Sequence, residues 1–133
     1  MDALSIWSLA QAPHDSRLII AGTQPAGLYL SRDSGENWRK LSAPLPSSCQ
    51  FIGAPRVTHV SFDPVEQERL WAGVEIGGVW TSDNNGESWE ARNHGLISED
   101  IHGLSMSNNG TQRMFATTNK GLHISSDAGK HWD

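Results

Sequence analysis

Five polar residues in this chain are of types that could act together in catalysis or binding. His59, Glu75 and His102 combine two imidazoles with a carboxylate, and Arg56 and Asp100 add one charge of each sign. Because histidine titrates near neutrality and a nearby carboxylate shifts its pKa, this set could supply a general acid and base. It could equally supply two or three ligands of a metal ion. The spacing matches no HExxH or CxxC motif, so hydrogen-bonded polar residues at strand ends are a third interpretation.

The elements that would position these residues are indicated by a sequence repeat. The pattern Ser-x-Asp-x-Gly-x-x-Trp occurs at 31–38, 82–89 and 125–132, with asparagine replacing aspartate in the second copy. A short carboxylate or amide accepts hydrogen bonds from backbone N–H groups a few residues on, which holds a turn together. The glycine is expected at positive φ, and the tryptophan is expected to close the turn by packing. The residues predicted to build the turns are Ser31, Asp33, Gly35, Trp38, Ser82, Asn84, Gly86, Trp89, Ser125, Asp127, Gly129 and Trp132.

The repeat extends upstream of each turn. Apolar segments that contain alanine lie at 18–22, 70–73 and 114–116, and each is followed by a Gly-apolar-aromatic triplet. These patterns together resemble the Asp-box repeat, also called the BNR repeat, of the sialidase-like and sortilin-like β-propellers. The resemblance covers nearly the whole chain, and it implies blades of short antiparallel strands.

The predicted fold is all-β, with three four-stranded antiparallel propeller blades of which the last lacks its outer strand. Blade 1 is expected at about residues 1–43, blade 2 at about 57–95 and blade 3 at about 96–133. Residues at about 44–56 are rich in proline and serine, and they are predicted to form an inter-blade loop. A propeller closes with about four to eight blades, so we expect a fragment of a larger ring or a module completed by another copy.

Alignment of the three blades predicts where the five polar residues lie. Ile6, Val57 and Ile101 fall in one register at the start of the innermost strand of each blade. The loops between the second and third strands, at 24–25, 75–76 and 119–120, are expected to reach the same mouth of the central channel. The candidate binding rim at this mouth consists of Arg56, His59, Glu75, Asp100 and His102.

Composition excludes several classes of partner. A net charge of −5 without a cluster of lysine or arginine argues against nucleic-acid binding. No apolar run approaches the roughly 18 residues that cross a bilayer, and residues 1–8 lack the features of a signal peptide. We therefore expect a soluble, cytoplasmic protein without a membrane partner. Cys49 is the only cysteine and is interpreted as a free thiol, and no motif indicates a cofactor.

The resemblance implies the fold more strongly than it implies catalysis. Sialidases use a tyrosine nucleophile supported by glutamate, an aspartate acid/base, an arginine triad and an early Phe/Tyr-Arg-Ile-Pro motif, and that motif is absent here. Tyr29 is the only tyrosine, and it falls in the repeat position of Trp80 and His123, which indicates packing. In the family the boxes lie at the periphery, away from the active site.

Two classes of function follow from the sequence. It favours a non-catalytic propeller module that binds a carbohydrate or protein ligand, with self-association or the remaining blades as partners. The alternative is part of a glycosidase-type, sialidase-fold enzyme whose catalytic residues lie partly outside this chain. Glu75 and Asp100 are the local candidates for such an enzyme.

Overall fold

The computed structural model describes residues 4–46 and 53–133. Cys49 and the middle of the predicted inter-blade loop lie outside these ranges. The described residues form β-strands and no helix, so no helix that could cross a membrane is found among them. In chain order the strands are β1 (Ser5–Gln11), β2 (Ile19–Gln24), β3 (Leu28–Ser31), β4 (Arg39–Lys40), β5 (Val57–Phe62), β6 (Leu70–Val74), β7 (Gly78–Ser82), β8 (Glu90–Ala91), β9 (Ile101–Met106), β10 (Met114–Thr118) and β11 (Gly121–Ser125).

The strands form three antiparallel sheets in chain order, which we call blades 1, 2 and 3. Blade 1 is β1-β2-β3-β4, blade 2 is β5-β6-β7-β8 and blade 3 is β9-β10-β11. The prediction of an all-β partial propeller is therefore confirmed. Asp133 exchanges two backbone hydrogen bonds with Ile124, of 2.9 and 3.1 Å, in the register in which Arg39 pairs with Leu30. Asp133 thus begins the outer edge of blade 3.

The apolar core lies between the blades. The second strands β2 and β6 are almost wholly buried, because sheets that stack face to face cover both surfaces of a central strand. One cluster fills the space between blades 1 and 2, and another fills the space between blades 2 and 3. Fully buried members of the first include Ile20, Leu28, Val57 and Leu70, and those of the second include Trp71, Ile101, Met114 and Trp132.

The three predicted turns share one hydrogen-bonding pattern. In the first, Ser31 Oγ donates to Asp33 Oδ1 at 2.8 Å and accepts from the Gly35 N–H at 2.8 Å. Asp33 Oδ1 also accepts from the Asn37 N–H at 2.8 Å. Equivalent bonds recur in the second turn, where an asparagine oxygen replaces the carboxylate, and in the third. The turn glycines have positive φ as predicted, and so do the residues that precede them: Ser34, Asn85 and Ala128.

The third turn tryptophan makes contacts that its two equivalents do not. The indoles of Trp38 and Trp89 donate to the carbonyl of the glycine in their own turn, at 2.9 and 3.1 Å. The indole of Trp132 donates instead to the carbonyl of Arg92 at 2.7 Å, and Trp132 is only 1% exposed. The sequence predicted the same role for all three residues. The third differs because it is buried in the interface between blades 2 and 3.

Candidate functional site

The innermost strands begin in the predicted register. Each of β1, β5 and β9 has an irregularity in its pairing near its start, at Trp7, Thr58 and His102 respectively. β5 contacts both β1 and β9, so the three strand starts lie side by side at one end of the blades. β2 continues to Gln24, two residues beyond the apolar segment 18–22, because Gln24 pairs with Ser5.

Arg56 and Glu75 form an ion pair at this end of blade 2. Arg56 Nε lies 2.8 Å from Glu75 Oε2, and the side chains are 33% and 13% exposed. The pair brings together two of the predicted rim residues. Glu75 also donates its backbone N–H to the carbonyl of Arg56, which holds the loop after β6 against the start of β5.

A tryptophan of blade 1 joins this ion pair. Arg56 Cζ lies 4.3 Å from the centroid of the Trp7 ring, within cation–π distance. Trp7 Nε1 donates to Gln24 Oε1 at 3.0 Å, and Gln24 Nε2 donates to the carbonyl of Ala54 at 3.0 Å. Trp7 is nevertheless 49% exposed. The Trp7–Arg56–Glu75 group is therefore held from several sides and still presents an aromatic surface to solvent.

Asp100 and His102 form a separate group at the start of blade 3. His102 Nε2 lies 3.2 Å from Asp100 Oδ2, and the Asp100 N–H donates to Ser98 Oγ at 3.2 Å. Ser98 Oγ in turn donates to Asn119 Oδ1 at 2.6 Å. Within residues 4–46 and 53–133 no hydrogen bond or ion pair joins this group to Arg56 or Glu75.

His59 lies in β5 and is half-buried. Its Nε2 atom is buried and has no hydrogen-bond partner among the described residues. Burial lowers the pKa of the imidazole below its usual value, because desolvation disfavours the charged form. The neutral imidazole is thus favoured near neutral pH. No hydrogen bond in the described part of the chain links His59 to Glu75, the carboxylate with which the sequence associated it.

The geometry bears on the metal hypothesis as well. In the part of the chain that the structure describes, no group of three His, Cys, Asp or Glu side chains lies close enough together to hold a metal ion. His59, Glu75 and His102 are among those residues and do not converge on one point. Four of the five rim residues instead form two separate pairs, Arg56 with Glu75 and Asp100 with His102, and His59 belongs to neither.

The sequence places Gln24 in a loop at the channel mouth and Trp7 in the register of Thr58 and His102, but neither residue was assigned to the candidate binding rim. That shared register was the available signal. The stacking of Arg56 on Trp7 depends on the approach of two blades, and no local pattern indicates it.

A small cavity lies between blades 2 and 3, with a volume of about 70 Å³. In the wall of this cavity, Trp71 Nε1 donates to Asp63 Oδ2 at 2.9 Å. None of the residues that line the cavity belongs to the candidate binding rim. Its other lining side chains include Arg69, Met106, Gln112, Arg113 and Met114.

Comparison with known proteins identified relatives of much greater length. No model of a known protein family matches the chain. It is 34% identical over 84 residues to an oligoxyloglucan-reducing end-specific xyloglucanase of Emericella nidulans, and the match covers 62% of this chain and 10% of that protein. It is 23% identical over 138 residues to a probable enzyme of the same description from Neosartorya fischeri, covering 95% of this chain and 17% of that protein.

Solved structures of β-propellers resemble the chain over nearly its whole length. A GH74 xyloglucanase from Xanthomonas campestris matches 97% of the chain with a TM-score of 0.73 at 18% identity, and 23% of that enzyme is covered. YCF48 bound to a D1 peptide matches 98% with a TM-score of 0.71 at 18% identity, and 40% of it is covered. At these identities the likeness shows the fold alone. The chain is therefore part of a β-propeller, and its described residues form three blades.

Proposed function

We propose that this chain is the binding part of a non-catalytic propeller and that its ligand contacts the rim at Trp7. The observation that carries the proposal is the exposed indole of Trp7, which is fixed at its nitrogen by Gln24 and covered on one side by the Arg56 guanidinium. An aromatic ring that is already held in place loses little conformational entropy when a ligand packs on it.

The ligand class that fits this surface is a neutral oligosaccharide. Sugar rings offer an apolar face for an indole and hydroxyl groups for flanking charged side chains, and Trp7 with Arg56 and Glu75 supplies both kinds of contact. Sequence similarity to xyloglucanases supports a xyloglucan oligosaccharide as the first ligand to test. A protein ligand is the competing outcome, since one structural neighbour was solved with a bound peptide.

We further assign the three turns to the Asp-box type. What supports the assignment is the recurrence in every blade of the same hydrogen bonds from serine and from a backbone N–H to the side-chain oxygen of Asp33, Asn84 or Asp127. The turns lie at the opposite ends of β3, β7 and β11 from the rim loops. Their role in this proposal is to stabilise the blades, and they take no part in binding.

The proposal of a non-catalytic role rests on the state of the two rim carboxylates. A glycosidase needs two carboxyl groups on either side of the scissile bond. Glu75 is occupied by Arg56 and Asp100 by His102, in separate hydrogen-bonded groups. The second candidate function, part of a xyloglucan hydrolase whose catalytic carboxylates lie partly on further blades, takes its support from the 34% identity over 84 residues.

The test is calorimetric titration of the chain with xyloglucan oligosaccharides. We expect binding that Trp7→Ala removes and that Arg56→Lys weakens, because lysine keeps the charge but loses the planar stack. Val65→Ala, at an exposed site in the loop after β5, is the control that should bind as the wild type does. Unchanged binding by Trp7→Ala, with the fold intact, would contradict the proposal. If the chain releases reducing ends from the xyloglucan oligosaccharides and Glu75→Gln abolishes that release, the hydrolase is favoured.

A further inference from the structure

Blade 1 has an uncovered apolar face on its innermost strand. Ile6 is 46% exposed and Leu9 is 63% exposed, and we call these two residues the blade-1 face. The residues in the same register of the other blades are at most 6% exposed because the preceding blade covers them: Val57, Val60, Ile101 and Leu104. The blade-1 face thus has the pattern of a surface that another blade covers.

Blade 3 has an uncovered face on its opposite side. Leu122 in β11 is 57% exposed, whereas its equivalents Leu28 and Val79 are fully buried under the following blade. Leu122 pairs with Thr117, and these two residues form what we call the blade-3 face. Since the blade-1 face is open as well, the blade-3 face of a second copy is the first occupant to consider for it.

The two contacts between blades inside this chain show what such an interface requires. The first requirement is a glycine. A Cβ atom at Gly22 would lie 2.5 Å from Val57 Cγ1, and one at Gly73 would lie 2.7 Å from Ile101 Cγ2. No side chain fits at those distances. The β-branched residue that begins each inner strand therefore packs directly on glycine of the preceding blade.

The second requirement is a hydroxyl group that reaches the next inner strand. Ser8 Oγ of blade 1 donates to the carbonyl of Val57 at 2.9 Å. Thr58 Oγ1 of blade 2 donates to the carbonyl of Ile101 at 2.6 Å. Each accepting carbonyl belongs to the same β-branched residue that packs on the glycine. The apolar contact and the hydrogen bond therefore set the same register.

Blade 3 meets neither requirement. Thr117 occupies the position that Gly22 and Gly73 hold in the other blades, and its partner in β9 is Gly103. In blade 3 the glycine therefore lies on the innermost strand and the side chain on the second strand, which is the reverse of blades 1 and 2. A Cβ at Gly103 would lie 2.9 Å from Thr117 Oγ1, so the two paired positions do not both have room for a side chain. The positions of the two hydroxyl donors are held by Gly103, which has no side chain, and by His102, whose Nε2 is paired with Asp100.

We propose that the blade-1 face binds a propeller blade that carries glycine opposite Ile6 and a hydroxyl donor on its innermost strand, and that blade 3 of a second copy is not that blade. Of the two partners that the sequence left open, self-association and further blades, the interface chemistry selects a blade of different sequence. Thr117 would occupy the space that the Ile6 side chain needs. Copies of this chain therefore do not assemble head to tail through these two faces.

The experiment restores both requirements to blade 3. Gly103→Ser with Thr117→Gly, which we call the exchanged variant, reproduces the Ser8–Gly22 pair of blade 1. In sedimentation equilibrium we expect the exchanged variant to self-associate at least about tenfold more tightly than the wild type, and Ile6→Ser to reverse the gain. Thr111→Gly, on an exposed residue of blade 3 away from this face, is the matched control and should leave the association of the wild type unchanged.

A mixing experiment isolates the blade-1 face. The exchanged variant with Ile6→Ser keeps only the restored glycine face, and the wild type supplies only the blade-1 face. We expect a 1:1 complex of the two, and no complex when the wild-type partner also carries Ile6→Ser. If the exchanged variant melts well below the wild type, Thr117→Gly without Gly103→Ser supplies the glycine face instead. Two results would overturn the proposal. One is self-association of the wild type that Ile6→Ser abolishes, and the other is a folded variant with the glycine face that does not bind the wild type.

Discussion

Trp132 donates its indole N–H to the backbone carbonyl of Arg92 at 2.7 Å, although the two residues belong to different blades. The Trp132 backbone N–H also donates to the carbonyl of His94 at 2.9 Å. The segment that connects blade 2 to blade 3 thus closes over the third turn. The indoles of Trp38 and Trp89 donate to carbonyls of their own turns. One repeated motif therefore stabilises a turn in two blades and also an inter-blade contact in the third.

Replacement of Trp132 should separate these two roles. Trp132→Phe removes a buried hydrogen bond and part of the packing in the core cluster between blades 2 and 3, so we expect the free energy of unfolding to fall by about 2 to 4 kcal/mol. Trp38→Phe is the matched control, and its loss should be about 1 kcal/mol because that indole is partly exposed. Urea denaturation of both variants gives the comparison. Equal losses would mean that the inter-blade contact of Trp132 contributes nothing.

Within one turn, the packing of the tryptophan should outweigh the hydrogen bonds of the acid. Trp38→Ala should lower the free energy of unfolding by about 2 to 4 kcal/mol, because the ring covers Gly35 and the adjoining strand. Asp33→Ala should have the smaller effect, since Asp33 is exposed and its hydrogen bonds exchange with water. Thermal melts that rank Asp33→Ala as the more damaging change would refute this order.

The acids of the turns should make stability depend on pH below about 4. The Asn37 backbone N–H, followed by the Asn37 side chain and Ser31, holds the pKa of Asp33 below its usual 3.8. A hydrogen bond from the His131 backbone N–H similarly lowers the pKa of Asp127. The stabilisation by each acid is complete above the unfolded pKa and is lost as the pH falls through the lower folded pKa.

The second turn provides a natural control, because Asn84 accepts the same hydrogen bonds and cannot ionise. Asn84→Asp should make the decline of the urea midpoint steeper between about pH 4 and 2, and Asp33→Asn should make it shallower. The two substitutions should leave the slope near neutral pH unchanged. Identical acid profiles for the wild type and both variants would rule out this source of pH dependence.

The rim should act in binding more than in folding. His59→Gln replaces the imidazole by a neutral polar amide, and Glu75→Gln keeps the side-chain shape while removing the charge opposite Arg56. We expect binding of xyloglucan oligosaccharide to weaken by roughly tenfold, while the free energy of unfolding changes by about 1 kcal/mol. Calorimetry and a urea melt measure the two effects.

The control for that substitution is the other part of the rim. Asp100→Asn with His102→Gln alters a group that has no hydrogen bond to Arg56 or Glu75 among the described residues. It should leave oligosaccharide binding at the wild-type level. If His59→Gln with Glu75→Gln destabilises the protein strongly and does not affect binding, the rim is a structural network.

The sequence by itself determined the blades, the turns and the register. The turns follow from residues at most four positions apart, whose hydrogen bonds form in any blade that contains them. The equivalence of Ile6, Val57 and Ile101 follows from the repeat, because the same apolar pattern in each blade must face the same side. The start of β5 and the loop after β6 could be assigned to one rim on that basis.

Only the tertiary structure decided which of these residues meet. Trp7 contacts Arg56, and Trp132 contacts Arg92. Each of these features depends on the distance at which two blades stack, and that distance is set by side chains far apart in the chain. Local hydrogen bonds carry no information about it, so equivalent residues of a repeat came to have different partners.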